Sequence, residues 1–116
     1  MSLLLASCFL NTNLSTSYKE KCSILLKRQV TQRFAYYAPE ELGHIKSSLL
    51  KAYSQNNEAS KYIAPIISLI IERGGLSQWP EALFYICNAI AKRDANTEQH
   101  INTLYMIVED SPQDVL

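Results

Sequence analysis

Glu41-Leu42-Gly43-His44 sets a carboxylate and an imidazole three residues apart, which is one face of a helix. That is half of a carboxylate-bridged di-metal site, a chemistry that needs a second Glu-x-x-His and two further helix carboxylates. The other histidine, His100, has Thr97 at the matching place, so the second half is missing. His-Glu-x-x-His is absent, as are Gly-x-Ser-x-Gly, a P-loop and Gly-x-Gly-x-x-Gly, and no motif pairs either histidine with a cysteine. Glu109 and Asp110 are adjacent acids. Successive helical residues point about 100° apart, so the two do not converge as a catalytic dyad. A structural role at a helix end is expected for them, for instance pairing with a cation. Cys8, Cys22 and Cys87 are odd in number, widely spaced and form no Cys-x-x-Cys. They read as small buried hydrophobes on helices in a reducing compartment. The residues therefore predict no catalytic group, no metal and no cofactor.

The bulk numbers point the same way. A chain of 116 residues holds one small domain, and 47% apolar against 19% charged residues is a globular composition. Eleven basic and eleven acidic residues balance to zero, and no basic stripe stands out, so no nucleic-acid partner is expected. No segment reaches the roughly 18 consecutive apolar residues of a membrane span, so no membrane partner is expected either. Leu5-Ala6-Ser7-Cys8 mimics a lipoprotein cleavage box, but no Lys or Arg precedes it and the apolar run is short. The end of a packed helix is the expected reading, not a signal peptide.

Helices must position whatever these side chains do. Leu3 to Phe9 reads as a short helix, stopped by Asn11-Thr12-Asn13. Ser17-Tyr18-Lys19-Glu20 reads as a capping box for the next, whose inward face is Tyr18, Cys22, Leu25, Leu26, Val30 and Phe34. Ala38-Pro39-Glu40-Glu41 opens a third, with proline and two acids in the first turn, where the helix dipole favours them. Its apolar face is Leu42, Ile45, Leu49, Ala52 and Tyr53. A fourth is expected from Glu58 to Arg73, apolar nearly all round and therefore enclosed by neighbours, with Pro65 bending it more than breaking it. Gly74-Gly75-Leu76-Ser77-Gln78-Trp79-Pro80 stops that helix and starts a fifth at Pro80, with Trp79 as a wedge between packed helices. Leu83, Phe84, Ile86, Cys87, Ile90 and Ala91 are expected inward. Asp94 can cap a sixth helix with Thr97, Ile101, Leu104, Tyr105 and Val108 on one face, ended or bent at Ser111-Pro112.

No segment carries strand periodicity, so the fold class is all-α with antiparallel neighbours. Starts near Ser17 and Glu58 lie about 40 residues apart, the period of a HEAT or armadillo unit. An α-solenoid of about two full repeats follows: residues 1–13 a remnant helix, 15–54 one repeat, 57–92 a second, and 94–110 the first helix of another. A four-helix bundle is the competing architecture.

Ile24-Leu25-Leu26-Lys27-Arg28-Gln29-Val30, Ile45-Lys46-Ser47, Gly74 to Leu83 with Trp79-Pro80-Glu81, and Leu104 to Asp110 ending Val108-Glu109-Asp110 occur in that order. In order and spacing the chain resembles the importin-β (karyopherin-β) family of nuclear transport receptors, its transportin branch in particular. The resemblance implies a non-enzymatic HEAT-repeat fragment, moving between cytoplasm and nucleus, whose partner is the GTPase Ran in its GTP state. It implies that the second helix of each pair faces Ran, through Glu40, Glu41, His44, Ser48 and Lys51 on one and Glu81, Tyr85 and Asn88 on the other. Trp79, Pro80, Glu109 and Asp110 are then structural. Nucleoporin repeats are a further implied partner, with Tyr36-Tyr37 and the wall of the isoleucine helix as contacts, whereas the family's cargo repeats have no counterpart here. Lys19 and Ser60 or Lys61 stand where the family carries a buried arginine. The alternative is a generic helical scaffold with an unrelated partner. Leu3 to Phe9 and the last helix, having lost outer neighbours, are expected to expose apolar surface.

Overall fold

The computed structural model describes Phe9 and residues 15–55, 60–75, 78–93 and 97–110. The described residues form five α-helices, α1 (Thr16–Arg33), α2 (Pro39–Ser54), α3 (Ser60–Gly74), α4 (Pro80–Ala91) and α5 (Thr97–Asp110), and a 3-10 turn at Phe34–Tyr36. No strand occurs among the described residues, so the protein is all-α. The expected Leu3–Phe9 helix lies outside the described residues except for Phe9, which is in a turn and buried. The stops at Asn11–Asn13 and Ser111-Pro112, the cap at Asp94 and the residues Cys8, Leu76 and Ser77 also lie outside them. The helices form two compact units, Met1–Ile67 and Ser68–Leu116, divided inside α3.

In the first unit, α1 is capped by Ser15, not by Ser17. Ser15 is extended (φ −69°, ψ 159°), and its Oγ accepts the Tyr18 N–H at 3.3 Å. Ser17 already lies within the helix, so it cannot be the half-turned capping residue. The buried face of α1 is Lys19, Ser23, Leu26 and Val30. This corrects the expected face, because Tyr18 and Leu25 are 61% and 47% exposed. Leu25 and Leu26 are adjacent and equally apolar, and only one can face the core. Ser23 tolerates burial because its hydroxyl donates to the Glu20 carbonyl of the preceding turn. Tyr37 and Ala38 are extended, as the residue before a proline must be, and Pro39 then starts α2. Ile45, Leu49, Ala52 and Tyr53 of α2 are buried as expected. The first half of α3 buries Ile63, Ala64, Ile66 and Ile67, and Ser60 Oγ at its start donates to the Tyr53 carbonyl at 3.1 Å. Lys19 and Ser60 are both buried at the places the resemblance gives to arginine, while Lys61 is exposed.

In the second unit, α3 continues through Ser68, Leu69, Ile70 and Ile71, all buried, and Pro65 does not interrupt the helix. Trp79 is buried, with backbone (φ −147°, ψ 62°) outside the helical region, directly before Pro80 at the first position of α4. α4 and α5 pack against each other. The buried face of α4 is Ala82, Ile86 and Ala89, while Phe84, Cys87 and Ala91 are exposed. The buried face of α5 is His100, Thr103 and Ile107, while Ile101 and Tyr105 are exposed. Both expected faces are thus rotated: α4 turns Ala82, Ile86 and Ala89 inward and leaves the bulkier Phe84 outside, and α5 turns His100, Thr103 and Ile107 inward. Cys87 is exposed and Cys22 half-buried, which corrects the expectation of two buried thiols.

Two of the helices that end in this unit use the same backbone device with different residues. Gly75 follows α3 at φ +85°, and its N–H bonds to the Ile71 carbonyl at 2.7 Å, an αL termination. Arg93 follows α4 at φ +54°, with its N–H on the Ile90 carbonyl at 3.1 Å. Left-handed backbone costs a non-glycine residue about 1–2 kcal/mol. A Cβ at Gly75 would meet no atom within 4 Å, so backbone strain alone sets the cost there. Gly75→Ala is therefore expected to lower unfolding free energy by about 1 kcal/mol, and Arg93→Gly to raise it by a similar amount. Urea denaturation followed by circular dichroism reads both. Equal shifts of the same sign would contradict the assignment.

Candidate functional site

Two separate candidate stripes stand on helices, one on α2 in the first unit and one on α4 in the second. On α2, Glu40, Glu41, His44, Ser48 and Lys51 fall within an arc of about 100°, set by 3.6 residues per turn. Glu40, His44 and Lys51 are exposed, and Glu41 and Ser48 are half-buried. The stripe runs from acids at the helix start to a lysine at its end, an order that complements the helix dipole. On α4, Glu81 and Asn88 are exposed on one stripe, with Tyr85 between them and half-buried. The Tyr85 ring meets the buried His100 ring edge-on at 6.1 Å and 85°, so Tyr85 takes part in the α4–α5 packing.

Polar residues that sequence reading passed over lie inside the second unit. Ser68 is fully buried, and its Oγ donates to Asp110 Oδ2 at 2.7 Å, with the Met106 carbonyl at 3.4 Å. Thr103 is also fully buried and donates to the Gln99 carbonyl at 2.9 Å. An anion at the last turn of a helix is disfavoured by the dipole, and the hydrogen bond from Ser68 offsets this for Asp110. Asp110 thus binds a serine of α3, where a cation was expected. Glu109 engages Tyr105. The signal available in the sequence was Ser68 itself, a lone hydroxyl in an isoleucine run.

Ser68 and Asp110 do not extend to a nucleophile–base relay. His100 lies ten residues before Asp110 on α5, about 15 Å along the axis at 1.5 Å per residue. Among the described residues, no three His, Cys, Asp or Glu side chains come together to hold a metal ion. Among them also, no helix is long and apolar enough to cross a membrane.

Tyr105 carries a perturbed proton. The Glu109 carboxylate accepts the phenol's hydrogen bond and repels the phenolate, and both effects hold its pKa above the ordinary value near 10. A folded-state pKa above the unfolded one contributes stability present below the unfolded value and lost as pH rises through the folded value. Glu109→Gln is expected to return the Tyr105 titration towards its ordinary range, read by the ring carbon shifts in an NMR titration above pH 9. An unchanged midpoint would remove Glu109 as the cause.

The fold and this site define an all-α protein whose exposed polar stripes lie on well-packed helices. No family model, no curated protein and no solved structure matches the chain.

Proposed function

We propose that this chain is a non-enzymatic protein-interaction module made of HEAT-type helix pairs. The observation that carries the reading is the α2 stripe, where five polar side chains line one accessible arc of a helix whose other side is core. The assignment takes α1–α2 as one pair and α3–α4 as the next, and the starts of the second helices support it. Their second helices start alike, with proline at the first position and glutamate behind it, about 40 residues apart. In the importin-β reading, α2 and α4 face Ran in its GTP state, and the chain shares the family's distribution between cytoplasm and nucleus. Tyr36, 85% exposed, is then the residue best placed for a nucleoporin repeat, since the isoleucine wall of α3 is core.

Titration of the whole chain into Ran loaded with a non-hydrolysable GTP analogue tests this. Binding in the micromolar range, weakened at least tenfold by Glu40→Lys/Glu41→Lys, is the expected result. Absence of binding at high micromolar concentration overturns the Ran reading. The second reading is a helical adaptor for an unrelated protein. It is favoured by Lys19 and Ser60 in place of the buried arginines, since neither offers the planar fork of an arginine ladder.

A further inference from the structure

The overall charge of zero hides a separation between helices. α1 carries Lys19, Lys21, Lys27, Arg28 and Arg33 against the single acid Glu20. α5 carries Glu98, Glu109 and Asp110 and no lysine or arginine. Each helix also exposes apolar side chains among its charges. On α1, Ile24 is 54% and Leu25 47% exposed, beside Lys21, Lys27 and Arg28. On α5, Glu98, Ile101, Asn102, Tyr105 and Glu109 form one exposed stripe within about 100° of arc, with Tyr105 67% exposed. An open depression of about 350 Å³ is lined by Ile24, Lys27, Arg28, Thr31 and Gln32.

We propose that copies of this chain associate heterologously, the basic face of α1 on one copy receiving the acidic stripe of α5 on the next. Tyr105 enters the depression beside Ile24, where Arg28 can stack on its ring and Lys27 can meet Glu109. Charge complementarity selects this occupant. The α1 face is basic and apolar, the α5 stripe is acidic and apolar, and every copy carries both. The contact joins two unlike surfaces, and every copy offers one of each. The proposal does not depend on the Ran reading, which uses α2 and α4.

The test is analytical ultracentrifugation of the whole chain over a concentration series. Wild type is expected to gain mass above the monomer as its concentration rises. It is expected to lose that association when ionic strength rises from about 0.1 M to about 1 M, which shortens the screening length from about 10 Å to about 3 Å. Lys27→Glu/Arg28→Glu and Tyr105→Ser/Glu109→Gln, each alone, should be monomeric with the wild-type helical signal, because only exposed side chains change. Mixed, they should give one 1:1 pair that grows no further, since each supplies the surface the other lacks. Monomeric wild type at every concentration overturns the proposal, as does association that both variants retain. Monomeric wild type that instead pellets with phosphatidylserine vesicles through Lys27 and Arg28 assigns the α1 face to an anionic surface and overturns it equally.

Discussion

Trp79→Ala is expected to remove about 3–5 kcal/mol of stability, the cost of truncating a large buried aromatic. Trp79 is 4% exposed and stands at the entry to α4, outside the helical backbone region. Its side chain is therefore held from two directions. Pro80 fixes the backbone that follows and disfavours helical geometry at Trp79 itself. Gly75, at φ +85°, turns the chain out of α3 a few residues earlier. The indole is thus placed by backbone restrictions and then covered by core, so little relaxation can refill the space it leaves. A domain of this size has about 5–15 kcal/mol in total, so the variant sits near the folding threshold. Trp79→Phe keeps part of the buried area and should lose much less. Urea unfolding by circular dichroism measures both variants. The wild type offers a second readout, because Trp79 is the only tryptophan. Its emission should be blue-shifted in the folded chain and shift red in the same transition as the helical signal. A loss below about 1 kcal/mol for the alanine variant would show that the indole does not fill the core.

What was legible in the sequence divides along a physical line. Pro39 and Pro80 restrict their own dihedrals and those of the residue before, and Gly75 takes positive φ without steric cost, so helix starts and the α3 stop followed from local chemistry. The buried face of α2 followed too, since Ile45, Leu49, Ala52 and Tyr53 are the apolar residues of a clearly two-sided helix. Faces of α1, α4 and α5 did not follow. α4 carries more apolar residues than one face can bury, and α1 and α5 bury polar residues, Lys19 and Ser23 on one and His100 and Thr103 on the other, so the inward face depends on neighbours that periodicity does not contain. Arg93 gave no signal, because nothing marks an arginine for positive φ. The α2 stripe was legible because polar residues opposite a clean apolar face have one place to go. Tyr85 and the Ser68–Asp110 bond were not, since each depends on a partner from another helix.

The isoleucine run of α3 yields the other large effect. Ile67→Ala in the first unit and Ile70→Ala in the second are each expected to cost about 2–5 kcal/mol, the range for Ile→Ala in a packed core. Both isoleucines are at most 1% exposed, and so are their neighbours Ile63, Ala64, Ile66, Ser68 and Ile71. Burial on nearly every side leaves no solvent face toward which α3 can shift to close a cavity. The control lies in α1, where adjacent leucines have opposite fates. Leu26 is fully buried and Leu25 47% exposed, so Leu26→Ala should fall in the same 2–5 kcal/mol range while Leu25→Ala stays within about 0.5 kcal/mol. Four single variants measured under one set of denaturation conditions therefore examine the enclosure of α3 and the rotation of α1 together. Equal losses at Leu25 and Leu26 would restore the face read from periodicity. Losses under about 1 kcal/mol at Ile67 and Ile70 would mean that α3 is not enclosed.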